Sequence, residues 1–344
     1  MTWRGGALHV LCVVALVSCG TAFATDRPVP RERVALDTDW RFHKGDPADA
    51  KGLDYDVRPD VEELADGKDA DARPDAAAKA QANGERVLKP WILPTANPLI
   101  LDPAKRHVRP VGNPGGDVSF VQRDFDDGAW AKVTLPHDWA IAGPFLADGP
   151  YGGMGRLQTW GPAWYRRTLD IPANDAGRSI FLDVDGAMSY ATVWLNGHLV
   201  GGWPYGYNGW RVDLTPYVVP GGVNRLAIRL DNPPGSARWY PGAGLYRNVW
   251  LVKADPVHVA HWGTRVTTPQ VSQQAATISV HVTIDNDSAR TADVAANTEI
   301  FELDASGMKR SDAVARVDNG RTRMAAKSSA TLTASTTLAK PRLW

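Results

Sequence analysis

Glutamate is scarce in this sequence: six occur in 344 residues, at 32, 62, 63, 85, 299 and 302, and none lies between Arg86 and Thr298. A glutamate pair acting as acid and nucleophile cannot come from that long middle stretch. Cysteine is scarcer, with Cys12 and Cys19 both in the N-terminal apolar segment. The rest of the chain therefore has no internal disulfide, thiolate nucleophile or cysteine-based zinc site. Net charge is lacking too: 38 basic residues balance 38 acidic ones, which leaves no electrostatic footprint for a nucleic-acid backbone or an anionic membrane surface. The longest apolar run, Ala7 to Val17, is too short to cross a bilayer comfortably. The histidines at 43, 107, 137, 198, 258, 261 and 281 show no ligand spacing on one element, and there is no Gly-x-Ser-x-Gly elbow or phosphate loop. Neither a metal nor a cofactor is expected.

The apolar residues that are present, 44% of the chain with 14 tryptophans, suffice to build real cores. Residues 1–24 read as an export signal, with Arg4 ahead of the apolar run and small residues Ala22-Phe23-Ala24 at a cleavage point after Ala24. Leu16-Val17-Ser18-Cys19 also fits a lipobox, in which Cys19 would be acylated. Both readings predict an exported protein, periplasmic or extracellular, the second one lipid-anchored.

From Val118 onward helical periodicity gives way to short strands. "WYRRTLDIP" (164–172), "SIFLDVDG" (179–186), "ATVWLNGHLVGGW" (191–203), "NRLAIRLDN" (224–232) and "YRNVWLVK" (246–253) are β-branched and aromatic runs bounded by Gly, Pro, Asn and Asp. Asn196-Gly197 between two apolar runs asks for a type I′ hairpin turn. Pro216 and Pro220 make 213–222 a connection. Closely spaced antiparallel strands of this kind predict an all-β jelly-roll or galactose-binding-like sandwich over 25–255. A second unit, 256–344, alternates in "TISVHVTIDND" (277–287), "VAANTEIFELD" (294–304) and "SSATLTASTTL" (328–338), as an immunoglobulin-like sandwich does. It stops at "AKPRLW", before the final strands of such a sandwich, so an incomplete unit is expected there.

Residues 49–117 have another composition. "DADARPDAAAKAQANGERV" (69–87) is charged and Ala-rich, a helix or a mobile segment, and prolines at 90, 94, 98 and 103 are expected to prevent regular structure over 89–103. This is a long insertion in a loop, either a lid over a cleft or a solvated excursion. If it is peripheral, its removal should leave the sandwich folded, because loop length costs stability only logarithmically.

Asp183 and Asp185 share one strand face, which paired-carboxylate chemistry would want. The plainer reading gives Leu182 and Val184 the core face and the aspartates the solvent face. His137 and Asp138 are adjacent on an extended segment and face opposite ways, so a turn made by Asp138 and packing by Trp139 explain them better than catalysis. Aromatic surface is the real asset. Trp160, Trp164, Trp203, Tyr205, Tyr207, Trp210, Trp239 and Tyr240 fall at turns or strand ends, where a ring can stack on the C–H face of a sugar while Arg and Asn bond its hydroxyls. Trp194 and Trp250, within strands, are expected in the core. Trp239 beside Arg238, in a Pro/Gly loop, is open to either role.

Taken in order, "LDTDWRFHKGD" (36–46), "LPHDW", "WYRR", "VWLNGHLVGGWPYGYNGWRVDLT", "NRLAIRLDN" and "ARWYPGAGLYRNVWL" resemble the N-terminal sugar-binding domain of glycoside hydrolase family 2, closest to its β-galactosidases. Residues 257–344 resemble the immunoglobulin-like domain that comes after it. The resemblance implies a retaining β-glycosidase whose two glutamates sit about 5–5.5 Å apart on a (β/α)₈ barrel that this chain lacks. The family's Asn-Glu dipeptide occurs nowhere in the sequence, so no catalytic residue is assigned and the chain alone is expected to be inactive. It also implies that Arg238 and Trp239 contact a β-linked, galactoside-type sugar or the barrel. Some members carry Asp where Arg238 stands, at a sodium site, and the substitution argues against sodium here. Tyr246, Arg247 and Trp250 read as strand and packing, with the strand starting near Tyr246. The alternative is a stand-alone carbohydrate-binding protein without catalytic activity.

Overall fold

A computed structural model describes residues 30–56, 87–146, 157–233, 242–310 and 312–343. Residues 1–29, for which an export signal is expected over 1–24, the body of the Ala-rich stretch (57–86) and the segment 234–241, with Arg238, Trp239 and Tyr240, lie outside the described residues.

Among the described residues fifteen strands form four antiparallel sheets. In chain order they are β1 (Arg31–Ala35), β2 (Trp40–Lys44), β3 (Ala131–Val133), β4 (Gly161–Leu169), β5 (Ser179–Val184), β6 (Ala191–Leu195), β7 (His198–Trp203), β8 (Trp210–Asp213), β9 (Asn224–Asn232), β10 (Val249–Ala254), β11 (Val257–Val271), β12 (Ala275–Asn286), β13 (Ala292–Ile300), β14 (Ala315–Met324) and β15 (Ser328–Ala339). A six-stranded sheet, β3-β2-β4-β9-β6-β7, faces a four-stranded one, β1-β10-β5-β8. Strand alternation fills the space between them: Tyr165, Leu182, Val193, Leu226, Ile228 and Leu251 all point inward into one core. This is the jelly-roll-like sandwich, and the helix-poor, strand-rich pattern of the sequence dictates it. The Asn196-Gly197 turn has φ of 53° and 84°, as type I′ requires.

The outer face of the six-stranded sheet is also buried. Trp164 and Trp194 point away from the first core, and both are fully covered by a second one built from Leu53, Leu88, Ile92, Val118, Phe120 and Trp130. Where it is described, the insertion is therefore not a solvated loop but an outer layer of the fold. Three of its four prolines over 89–103 stand at the start of short helices instead of preventing them, and Pro98 lies inside one. Pro90 and Pro94 occupy the first turns of α1 (Lys89–Ile92) and of the 3₁₀ helix Leu93–Leu99, where a missing N–H loses no bond. The layer is tied down through polar groups as well: Trp194 Nε1 donates to Pro114 O at 3.0 Å, and Asn113 Nδ2 donates to Gly197 O at 2.8 Å.

Three details differ from the expectations above. β10 begins at Val249, three residues beyond Tyr246, because Gly244 and Leu245 are still engaged in loop contacts with Met188 and His137. Trp250 is only half-buried. Val249 and Leu251 take the core side, and Trp250 lies outside under the Arg33 guanidinium, 3.7 Å from the ring centroid, with Nε1 donating to Asp185 at 2.8 Å. Asp183 is not solvated: it is 8% exposed and holds Arg211 through two bonds, 2.5 and 2.8 Å.

The second unit places β11-β12-β15 and β13-β14 around Val280, Val282, Ile284 and Met324, the immunoglobulin-like pattern. β13 ends at Ile300, short of the full 294–304 run. Near its start β11 covers the outer face of the four-stranded sheet, with His258 against Phe181 at 5.7 Å. Burial, then the Arg211 charge, pushes His261 from 6.5 down to about 4. The unfolded chain thus binds this proton before the folded one does, so His261 should erode stability as pH falls from about 6.5 towards 4, and contribute no such loss above that window. Urea titrations at several pH values should show this slope, and a His261→Asn variant with an unchanged slope would refute the assignment.

Candidate functional site

β9 ends at Asn232, the described chain stops at Pro233 and resumes at Gly242, so Asn232 and Gly242 flank the 234–241 segment closely on its two sides. The side chain of Asn232, 1% exposed, clamps both sides. Its Nδ2 donates to Gly242 O at 3.1 Å and to Thr159 O at 2.9 Å, while its Oδ1 accepts from Ser189 Oγ at 3.1 Å. An amide alone supplies two donors and an acceptor in one plane, so neither Asp nor Leu could replace it. Backbone bonds extend the frame: His137 N to Leu245 O, Trp139 N to Ala243 O, and Asp231 N to Ser189 O, all at 2.9 Å.

Gly244 is required here. Its φ is +127°, and a Cβ would stand 2.4 Å from His137 O and 2.5 Å from the Tyr165 hydroxyl. That hydroxyl lies 2.8 Å from His137 Nδ1. Burial pushes the Tyr165 phenol far up and His137 down, so the phenol keeps its proton, the imidazole stays neutral, and the hydroxyl can donate to Nδ1. Phe42 packs on His137 at 4.7 Å between ring centroids and on Trp139 at 6.0 Å. Asp138 Oδ1 accepts from Ala140 N at 2.9 Å, the turn-making role the sequence suggested.

Glu32, Glu299 and Glu302, the glutamates among the described residues, pair with Arg178, Arg316 and Arg310 at 2.5, 3.1 and 3.4 Å. Asp231 accepts from Arg229 at 3.1 Å. Among the described residues no group of three His, Cys, Asp or Glu side chains is placed to hold a metal. The aromatic candidates separate: Trp164 and Trp210 are buried, Trp160 and Trp203 half-buried, and Tyr205 and Tyr207 exposed and edge-to-face at 5.4 Å. Sequence reasoning missed Asn232 and Ser189. Asn232 closes "NRLAIRLDN" and opens the turn string "NPPG", but nothing in either says that its amide reaches forward ten residues to Gly242.

Residues 146–241 match the glycosyl hydrolase 2 galactose-binding domain-like family. The chain is 34% identical to the β-galactosidase BoGH2A of Bacteroides ovatus over 231 residues, which is 67% of this chain and 26% of that protein. It is 32% identical to a putative β-glucuronidase of Formosa agariphila over 166 residues, 48% of this chain and 16% of that one. In fold it is similar to a glycosyl hydrolase family 2 member from Bacteroides cellulosilyticus, with TM-score 0.60, 23% identity, and coverage of 92% of this chain and 32% of the other. The Bacteroides uniformis β-glucuronidase gives TM-score 0.61 at 22% identity, covering 91% and 28%. The chain thus spans about a quarter of the Bacteroides ovatus protein and about a third or less of these structures. With residues 146–241 matching that family model and 67% of the chain 34% identical to the Bacteroides ovatus enzyme, the chain carries a glycoside hydrolase family 2 N-terminal, galactose-binding-like domain.

Proposed function

We propose that the chain is the non-catalytic N-terminal portion of an exported family 2 β-galactosidase, whose catalytic barrel lies outside these 344 residues. The observation that carries this reading is the Asn232 clamp, which fixes both flanks of the segment bearing Arg238 and Trp239. A rigid base lets one short segment meet a sugar in a fixed pose, which lowers the ordering cost of binding. In this reading Trp239 stacks on the C–H face of a β-linked galactoside and Arg238 donates to its hydroxyls. Bond cleavage belongs to two glutamates on the barrel, one protonating the leaving oxygen and one attacking the anomeric carbon.

The test is hydrolysis of a chromogenic β-galactoside by the isolated chain and by the chain continued with the sequence downstream of it in its gene. Background rates are expected from the first and turnover from the second. Turnover by the isolated chain that disappears in Asp183→Asn and Asp185→Asn variants would sink the reading, as would a continued chain with no glycosidase activity.

A further inference from the structure

Away from the Asn232 frame, a cleft of about 320 Å³ opens where four parts of the fold meet. They are the sheet-edge strands β7 and β8, the helical cover at 91–99, and the start of β11. Its walls are aromatic: Trp91, Trp203, Trp210, Tyr217 and Trp262, with His261 among them. Two independent observations mark it as built for a ligand.

The first is a set of unpartnered nitrogens. The indole N–H groups of Trp91, Trp203 and Trp210 and the Nε2 of His261 are buried without a hydrogen-bond partner. Trp210 is 4% exposed. Folded proteins pair nearly all such groups, so four around one cleft ask for an explanation. The second is strain at the rim. Trp262 is 64% exposed yet has φ of +52°, a backbone region that bulky residues avoid, where β11 slips register between Val259 and Thr264. Its ring stacks on His261 at 4.2 Å. A strained backbone that holds an indole at the mouth of an aromatic cleft is the mark of a functional surface.

The chemistry narrows the ligand. Flat rings suit the C–H faces of a pyranose, and indole N–H groups need oxygen acceptors, which an aliphatic ligand lacks. An anion is disfavoured because both lining guanidiniums are engaged, Arg211 with Asp183 and Arg109 with the carbonyls of Val200 and Leu199. Asp213 at the wall adds negative charge. The volume sits at the small end of ligand pockets, about 300–1,000 Å³. We propose that this cleft is a second carbohydrate site, taking one or two pyranose rings of a neutral glycan and acting independently of the 234–241 segment. The four nitrogens are shielded from solvent, so a sugar seated in the cleft reaches them only with a side-chain shift of the lining.

Indole ¹⁵N–¹H spectra of the whole chain, titrated with methyl β-galactoside and with cellobiose, test this directly. The signals of Trp91, Trp203 and Trp210, assigned with Trp→Phe variants, should shift saturably with a Kd on the order of 1 mM. Trp262→Ala should weaken binding by at least about fivefold, the scale of one stacked ring, without moving the unfolding midpoint. Trp239→Ala should leave this binding unchanged. The proposal is overturned by an absence of saturable shifts at roughly 50 mM sugar, or by equal affinity in Trp262→Ala. Loss of binding in Trp239→Ala alone would overturn it too, placing the sugar on the 234–241 segment. So would a stronger response to cyclohexanol or to glucuronate than to the neutral sugars.

Discussion

Deleting residues 87–117 should abolish cooperative unfolding of the sandwich, and Trp194→Ala alone should lower its unfolding free energy by about 3–5 kcal/mol. The entropic cost of loop length argues the reverse, since shortening a passive excursion is nearly free. Packing decides the matter. The deletion removes Leu88 and Ile92, which with Leu53, Val118 and Phe120 cover Trp164 and Trp194, two fully buried indoles stacked at 5.5 Å. It also removes Pro114, the acceptor for the Trp194 indole, and Asn113, which bonds both Gly197 and Leu199 at the β6–β7 hairpin. The indoles would be left as an apolar patch on an open sheet face, a route to aggregation. Urea unfolding followed by tryptophan fluorescence and far-UV circular dichroism measures this. A deletion variant that keeps a sharp transition with both probes coincident would show that the outer layer is dispensable.

That layer also shows where the sequence is legible. The inner core could be read from alternation alone, because in "TVWL" and "RLAIRL" every second residue is apolar and faces the opposing sheet. The outer core breaks the rule that the other face is polar, and Trp164, Trp194 and Ala227 on that face are the visible trace. Nothing local identifies what covers them, since Leu88 and Ile92 lie more than seventy residues away from Trp164 across a composition break. Prolines misled for a related reason: at a helix start the missing N–H is harmless, and only the cap geometry tells that position from an interior one. The clamp at Asn232 is harder still to foresee. Asn is a common strand-end residue, and its role depends on Gly242, Thr159 and Ser189 converging from three separate segments.

The second large effect is expected at Asp46. Arg229 is 4% exposed, and its guanidinium is held by Asp46 through two bonds, Nε to Oδ1 at 2.8 Å and Nη2 to Oδ2 at 2.7 Å. Burial pulls the Arg229 pKa down, but the Asp46 bond and the charges of Asp231 and Asp46 more than offset it, so the net shift is upward. Asp46 Oδ1 also accepts from Trp164 Nε1 at 2.7 Å, which links the ion pair to the outer core. Removing one partner of such a pair leaves a buried charge uncompensated, so Asp46→Ala should cost about 3–5 kcal/mol. Replacing both, Asp46→Leu with Arg229→Met, should not recover that loss in full, because Asp231, 6% exposed and 3.1 Å from Arg229 Nη1, then loses this ion pair. The effect should reach the candidate site. Arg229 Nη1 bonds Asp231 Oδ2 at 3.1 Å, and Asp231 precedes the clamping Asn232. Amide exchange at Asp231 and Gly244, which bond Ser189 and Met188 respectively, should therefore quicken in Asp46→Ala, while the distant β12–β15 pairing stays protected. Denaturant titration of the single and double variants, with exchange read residue by residue, checks both halves. A loss below about 1 kcal/mol in Asp46→Ala would mean that Asp231 and the Leu53 carbonyl suffice to hold the guanidinium.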